Sequence, residues 1–302
     1  MKYNPKTVRK FAEFLAGTNN LPVPLVDKDI WITYMLRKIY ALPESKHLAF
    51  KGGTCLVKAY YGYYRFSEDI DLTWTGGKIK EHDFGSRVIV PVMDELGLKW
   101  YEDANVKGVK GSQSGNIMNY FLSSPEPNGG ASKLKITVAF KEELKFPIEE
   151  IKLKTIPVED GKRNEGEALY GSVAADYFDS LTVSCYSIQE IFCEKIRAIL
   201  TRKQQLVRSR DIVDLQKISA HQGGLENVAP PKAVKTKLSV ALKIPSYATE
   251  YARTTGNLNK HLQELVIQAN QDPVFISKPD QKELSQFGNK LEEYLANNII
   301  ET

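Results

Sequence analysis

Lys51-Gly52-Gly53-Thr54, followed after fourteen residues by Asp69-Ile70-Asp71, decides how this chain is read. Leu48-Ala49-Phe50 is a short apolar run ending at the glycines, so the first block predicts a strand entering a tight turn, with a short helix over Cys55 to Tyr60 beyond it. Glycine lets backbone N–H groups approach phosphate oxygens closely, and a helix starting there adds its positive dipole end. Thr54 could add a hydroxyl donor. From Asp69 to Trp74 the residues alternate polar and apolar, as in a strand with two unlike faces, so Asp69 and Asp71 project from one face. Two carboxylates so placed suit Mg²⁺, which keeps waters and bridges substrate phosphates, and a two-ion site could activate an attacking oxygen and stabilise a leaving pyrophosphate. The plainer alternative is an ordinary strand–turn–helix with a solvent-facing acidic pair. Asp is a poor strand former, so two on one face call for a reason.

The bulk properties set limits. At 302 residues there is room for two modest domains, or for one with a large appendage. The chain has no apolar run long enough for a transmembrane helix, and its start lacks an apolar signal core, so no membrane partner and a cytoplasmic location are expected. Cys55, Cys185 and Cys193 are too few and too scattered for a disulfide framework. The net charge of +4 tolerates a polyanionic partner without requiring one. His47, His82, His221 and His261 have no zinc-ligand spacing, and surface or helix-end positions are expected for all four.

Around the central block, Val8, Phe11, Phe14 and Leu15 predict a first helix over Thr7 to Leu15, and Asp27 is expected to cap a second through Ile39. A helix over Glu81 to Leu96 should kink or split at Pro91 and stop at Gly97. Strands are expected near Asn116 to Leu122, Leu134 to Phe140 and Glu150 to Ile156, and the polar stretch Glu159 to Gly166 is expected to be a loop and a boundary marker. Ser187 and Glu190 have capping-box spacing for a helix carrying Ile188, Ile191, Phe192, Lys195, Ile196 and Ile199. Another helix should run from Ser209 to Ala220, with more to follow. The expected fold class is α/β: N-terminal helices over residues 1–45, a catalytic-type core of mixed β-sheet flanked by helices over 46–160, and a mainly helical domain over 161–302.

A second cluster lies in the helical half: Glu194-Lys195-x-Arg197-Ala198, then Arg208-x-Arg210-Asp211-x-x-Asp214-Leu215. By spacing alone it fits salt-bridged helix surface better than function. The functional alternative has Lys195 reaching a triphosphate as a point charge, with Asp211 orienting a neighbour or acting as a base.

Lys51-Gly52-Gly53-Thr54-x-Leu56, Tyr60-x-Gly62 and Arg65-Phe66-Ser67-Glu68-Asp69-Ile70-Asp71-Leu72, taken with the two helical motifs in the same order, resemble the AbiEii/AbiGii-type nucleotidyltransferase toxins of the DNA polymerase β-like superfamily. The organisation is similar over roughly residues 45–220, and the tight match is confined to the two blocks. The resemblance implies a mixed sheet flanked by helices, with a helical C-terminal region closing over the site. It implies an NTP as substrate and Mg²⁺, or Mn²⁺ in its place, as cofactor. Better-understood members add nucleotides to the tRNA acceptor end and sit beside a cognate antitoxin, so tRNA or another RNA and an antitoxin are the expected partners. By motif match Gly52, Gly53 and Thr54 hold phosphates, Asp69 and Asp71 hold metal, Lys195 contacts the triphosphate and Asp211 completes the site.

There is one departure. Many superfamily members carry a third carboxylate on a later strand, and the comparable segment, Lys135-Ile136-Thr137-Val138-Ala139, has Thr137 at that place. Three accounts stand open: an alignment off by a strand, Asp211 as the missing acid, or a weak or degenerate enzyme. Glu142 and Glu143 are expected to be solvated turn charges. Lys107, Lys110, Lys133, Arg202, Lys203, Arg208 and Arg210 could form a track for RNA backbone if they share a face with the site. Among the tyrosines after the turn, Tyr60 and Tyr64 suit core packing better than base stacking. Besides transfer to RNA, two alternatives remain: nucleotidylation of a protein side chain, and a degenerate nucleotide-binding module acting through partner contacts.

Overall fold

A computed structural model describes residues 2–77, 79, 81–101, 111–114, 116–125, 133–140, 142–203 and 208–300. The chain forms two compact units, one of Met1–Glu143 with Ile148–Cys185 and the other of Leu144–Pro147 with Tyr186–Thr302.

The first unit is α/β. Helices α1 (Pro5–Asn19) and α2 (Val23–Tyr40) lead through a 3₁₀ turn at Pro43–His47 into β1 (Leu48–Lys51). The second helix starts four residues before Asp27, because Pro24 fits a first helical turn where no N–H is needed. Asp27 is therefore no cap and is buried within α2, as is Asp29. After β1 the chain is helical from Gly52 to Tyr61, first as α3 (Gly52–Cys55) and then as a π-turn over Leu56–Tyr61. Strand β2 (Asp69–Trp74) follows. Next come α4 (Glu81–Phe84), a π-turn at Gly85–Ile89 and α5 (Val90–Leu96). The predicted break at Pro91 is thus a π-turn just before the proline, where the wider winding accommodates a residue that clashes with the i−4 carbonyl and lacks a donor. Gly97, at φ 68°, closes the helix with its N–H on the Met93 carbonyl.

Strands β3 (Lys99–Trp100), β4 (Gly111–Ser114), β5 (Ile117–Ser123), β6 (Lys133–Ala139) and β7 (Ile148–Lys152) continue the sheet, and β8 (Thr182–Tyr186) joins it after helices α6 (Asp160–Tyr170) and α7 (Ser172–Phe178). The strand order is β3-β5-β6-β2-β1-β8-β7, with β4 beside β5. β1 is antiparallel to β2 and parallel to β8, while β2 is parallel to β6, which makes the sheet mixed. Helix α6 replaces the loop expected at Glu159 to Gly166. Lys162–Glu165 and Arg163–Glu167 pair along its exposed side, and Gly166 packs against the Phe14 ring, where an added Cβ would sit 3.1 Å from it.

Behind the sheet lies a buried charge network. The Lys58 ammonium, 1% exposed, is 2.9 Å from the Asp29 carboxylate and donates to Thr33 and Tyr63. Asp29 also accepts from the Tyr63 and Tyr177 hydroxyls. Burial pulls the Lys58 ammonium below its usual value against the pull of Asp29, and burial followed by Asp29 pushes both phenols well up.

The second unit is helical: α8 (Ile188–Thr201), α9 (Arg210–Gln222), α10 (Pro231–Leu242), α11 (Pro245–Thr255), α12 (Leu258–Ala269) and α13 (Gln281–Asn298). Ser187 caps α8 by accepting from the Glu190 amide at 3.3 Å. Glu190 in turn accepts from the Lys145 and Phe146 amides and pairs with Lys237, so the short segment 144–147 is fastened to this unit. His261 stands in the first turn of α12, the helix-end position expected, but is 5% exposed, which corrects only the surface half of that expectation.

Removing one partner of a buried ion pair strands the other. Asp29→Ala is expected to cost about 3–5 kcal/mol in urea denaturation, and an Asp29→Leu/Lys58→Met double variant to recover most of that loss. Equal losses in the single and double variants would contradict this account.

Candidate active site

One register brings the central motif together. Across the antiparallel pair, Lys51 stands opposite Asp71, and across the parallel pair Asp71 stands beside Thr137 and Asp69 beside Lys135. Residues paired in register share a face. Asp69 and Asp71 are half-buried while Ile70 and Leu72 are buried, so the carboxylates take one face and the aliphatic side chains the core. Thr137 therefore occupies the place beside the second aspartate, and its hydroxyl bonds to Asn119 at 3.0 Å.

Gly52 has φ 77°, and a Cβ there would lie 2.4 Å from the nearer Asp71 carboxylate oxygen. A Cβ on Gly53 would lie 2.4 Å from the Arg65 guanidinium. The two glycines are thus needed for conformation and for space: the turn runs directly against a carboxylate on one side and a cation on the other. Arg65 is 2% exposed and donates to the Phe66 carbonyl, leaning at 5.7 Å over the Tyr64 ring. Thr54 is buried. Its hydroxyl shares a 2.8 Å hydrogen bond with Ser67 and donates to the Asp69 carbonyl, so it fastens the turn to the start of β2.

Glu142 corrects an expectation. It pairs with Lys51 and accepts from Thr73 at 3.0 Å, on the face that carries Asp69 and Asp71, and is no solvated turn charge. Among the described residues no cluster of three or more His, Cys, Asp and Glu side chains is set to hold a metal ion. The two carboxylates beside a glycine turn still suit a hard cation that takes one or two carboxylates and completes its shell with water and substrate phosphate.

In the helical unit, the Lys195 ammonium lies 2.5 Å from both Asp211 and Asp214, and Arg202 meets the far oxygen of Asp211 at 3.2 Å. Lys195 is 9% exposed, Asp211 4% and Asp214 0%, so the cluster is interior and not helix surface. Burial alone would raise the Asp211 carboxyl, but Lys195 and then Arg202 hold it below the usual range. Glu194 and Arg197 form the plain salt bridge that their spacing suggests, and Glu194 also meets Lys237 at 2.8 Å. Of the basic residues considered for an RNA track, Arg202 pairs with Asp211 and Arg210 with Asp272, and Lys133 in the first unit lies over the Tyr101 and Phe121 rings. Lys107 and Lys110 lie outside the described residues. Tyr60 is half-buried and donates to Glu149.

Sequence reasoning passed over Arg65, Lys135 and Glu142 as site residues. Lys135 had a usable signal, since Lys135 and Thr137 alternate with Ile136 and Val138 on the strand that pairs with β2. Arg65 had one too, as the first residue of the block that carries the family resemblance, whereas Glu142 had none, because it is placed by tertiary contact.

No curated protein matches this chain significantly. A family model does: the model described as nucleotidyl transferase AbiEii toxin, type IV toxin–antitoxin system, matches residues 34–297 and so takes in both clusters.

Two outcomes follow from the geometry. Gly52→Ala should lose about 1–2 kcal/mol from the left-handed backbone alone and displace Asp71 as well, whereas Gly77→Ala, with nothing within 4 Å, should be near neutral. Equal melting temperatures for the two variants would refute the close approach. Asp211, with its folded carboxyl below the unfolded value of about 3.9, adds stability above that value and loses it as the pH falls through the lowered one. The stability gap between wild type and Asp211→Asn should therefore hold from neutral down to about pH 5 and narrow below about pH 4. A gap independent of pH in urea titrations would contradict it.

Proposed function

As the chain belongs to the AbiEii nucleotidyl transferase toxin family, we propose that it is a metal-dependent enzyme that moves a nucleoside monophosphate from an NTP to an RNA 3′ end, with the tRNA acceptor end as the leading target. The observation that carries this is the approach of the Gly52-Gly53 turn to Asp71 on one side and Arg65 on the other, which supplies phosphate-accessible backbone, a cation and a carboxylate pair in one place.

In the proposed reaction the RNA 3′ hydroxyl loses its proton to water, its oxygen forms a bond to the α-phosphorus, the bond from that phosphorus to the bridging oxygen breaks, and pyrophosphate leaves. Gly52 and Gly53 let the backbone reach the phosphates. Arg65 sets a fixed positive charge behind Gly53 without needing to move. Asp69 and Asp71 would hold Mg²⁺, or Mn²⁺ in its place, which when bound supplies charge neutralisation and alignment. Thr54 takes a supporting role, keeping the turn and the first aspartate in step. Lys195 and Asp211 enter the proposal as residues of the second family motif, preorganised as an ion pair within their own unit. Lys51 is engaged by Glu142, so it is assigned to holding the strand end and not to a phosphate. The family's type IV system includes an antitoxin, which is the proposed protein partner. The proposed location is cytoplasmic; among the described residues no helix is long and apolar enough to cross a membrane.

One observation favours a second reading. Thr137, which is not an acid, stands beside Asp71, which suits a module that binds nucleotide without turnover.

Incubating the purified protein with labelled NTPs, Mg²⁺ and total tRNA should label RNA 3′ ends, and Asp69→Ala or Asp71→Ala should reduce transfer by about a hundredfold or more while melting near the wild type. Nucleotide-dependent thermal stabilisation with no transfer from any NTP would favour the binding module. Transfer undiminished in both variants would overturn the residue assignment.

A further inference from the structure

The helical unit holds a polar cavity, far along the chain from both motifs. It has a volume of about 220 Å³, several times the ~30 Å³ that one water takes up. Arg253 and Thr254 from the end of α11, Asn257 from the intervening turn, and Lys260, His261 and Glu264 from α12 line it. The exposed Arg253 and Lys260 form its rim, whereas Thr254 and His261 are 1% and 5% exposed.

Three polar atoms at this cavity lack hydrogen-bond partners among the described residues: the Thr254 hydroxyl and both ring nitrogens of His261. The Ile199 carbonyl approaches the imidazole without making a well-formed bond. Buried polar groups in folded proteins are nearly always satisfied, so such a cluster beside a cavity points to an occupant. Three features set the sign of its charge. The cavity lies at the N-terminus of a twelve-residue helix, where Asn257 makes no side-chain cap and the ladder begins only with the His261 amide on the Asn257 carbonyl. The amides of residues 258–260 therefore precede the first intrahelical bond. Two cations and one carboxylate, Glu264, line the cavity, and Glu250 holds Arg253 at 2.8 Å. Burial, with Arg253 second, keeps His261 below its usual pKa, so the ring is neutral near pH 7 and offers one N–H.

We propose that this cavity is an anion site for a phosphate group, either free or within a nucleic-acid backbone. A tetrahedral phosphate matches the donors present: a guanidinium, an ammonium, a hydroxyl, an imidazole N–H and first-turn amides. Water alone would satisfy the hydroxyl and the ring but supplies no counter-charge to the helix N-terminus, and a metal cation would oppose the helix dipole. The site is independent of the catalytic assignment above, because none of its residues belongs to either motif.

Nuclear magnetic resonance of the histidine rings in the full chain tests it, with the His261 signals assigned from their loss in His261→Gln. Inorganic phosphate and a short single-stranded RNA without terminal phosphates are titrated separately. The expected result is a saturable shift of the His261 signals with one or both probes, weakened about tenfold or more in Arg253→Gln/Lys260→Gln, as loss of charge-assisted bonds requires. Both substituted residues are exposed, so folding is not at stake. Saturation by inorganic phosphate alone assigns the site to free phosphate, and saturation by the RNA assigns it to backbone phosphodiester. His261 signals that stay unmoved by both probes, or that move equally in the double variant, would overturn the proposal. Nucleotidyl transfer to RNA is read separately, so either proposal can fail without the other.

Discussion

The pairing of Lys51 with Asp71 across β1 and β2 is the constraint on which the first unit depends. Strand side chains alternate with period two, so a slip of one residue would send Asp69 and Asp71 into the core and Ile70 and Leu72 onto the polar face. The cost of burying two carboxylates is far larger than the cost of any local adjustment, so the register is strongly fixed. Gly52 follows Lys51 directly and takes a left-handed backbone, and the chain then turns against the Asp71 carboxylate. The same register, carried through the parallel pair, sets Lys135 beside Asp69 and Thr137 beside Asp71. One hydrogen-bonding pattern thus places the turn, both acids and their lateral neighbours.

The helical segment after the turn needs its own anchor. Lys58 lies on it, and the bond to Asp29 ties it to α2, while Tyr177 ties Asp29 to α7. A buried ion pair adds little net stability over apolar side chains of the same volume, but it tolerates no misplacement, because a stranded charge is costly. It therefore acts mainly on position: the segment that begins at the two glycines is held in one arrangement behind the sheet.

Much of this was legible in the sequence because the signals were local. Strand β2 is found over Asp69–Trp74 as its alternation predicts, and Gly97 and Ser187 end and begin their helices as expected. Lys135 to Ala139 lies in the strand beside β2, as its alternation suggests, with Thr137 next to Asp71. What escaped was set by distant contacts. Asp29 and Lys58 are far apart in sequence, and nothing local marks them as partners. The stretch at 159–166 reads as a loop by composition, yet its charges fall at helical spacing and Gly166 lets α6 approach Phe14. Strand β8 is short, and its alternation is hidden against the Ser187 cap that follows. His261 falls at the i+3 place of the apolar stripe formed by Leu258, Leu262 and Leu265, so its spacing signalled burial while its polar residue type pointed to the surface.

The second cluster shows how burial changes the weight of a motif. At the level of spacing, Lys195, Arg197, Asp211 and Asp214 suit surface salt bridges, which contribute little and need no further explanation. The structure separates them: Glu194 and Arg197 keep that ordinary pairing, whereas Lys195, Asp211 and Asp214 are interior. An interior ammonium between two carboxylates pays desolvation on all three groups, and packed aliphatic side chains would hold the same helices at least as well. Stability therefore does not account for those residue types. Arg202, reaching the second oxygen of Asp211, adds a second cation to the cluster. Lys195 is held by two carboxylates of the facing helix α9.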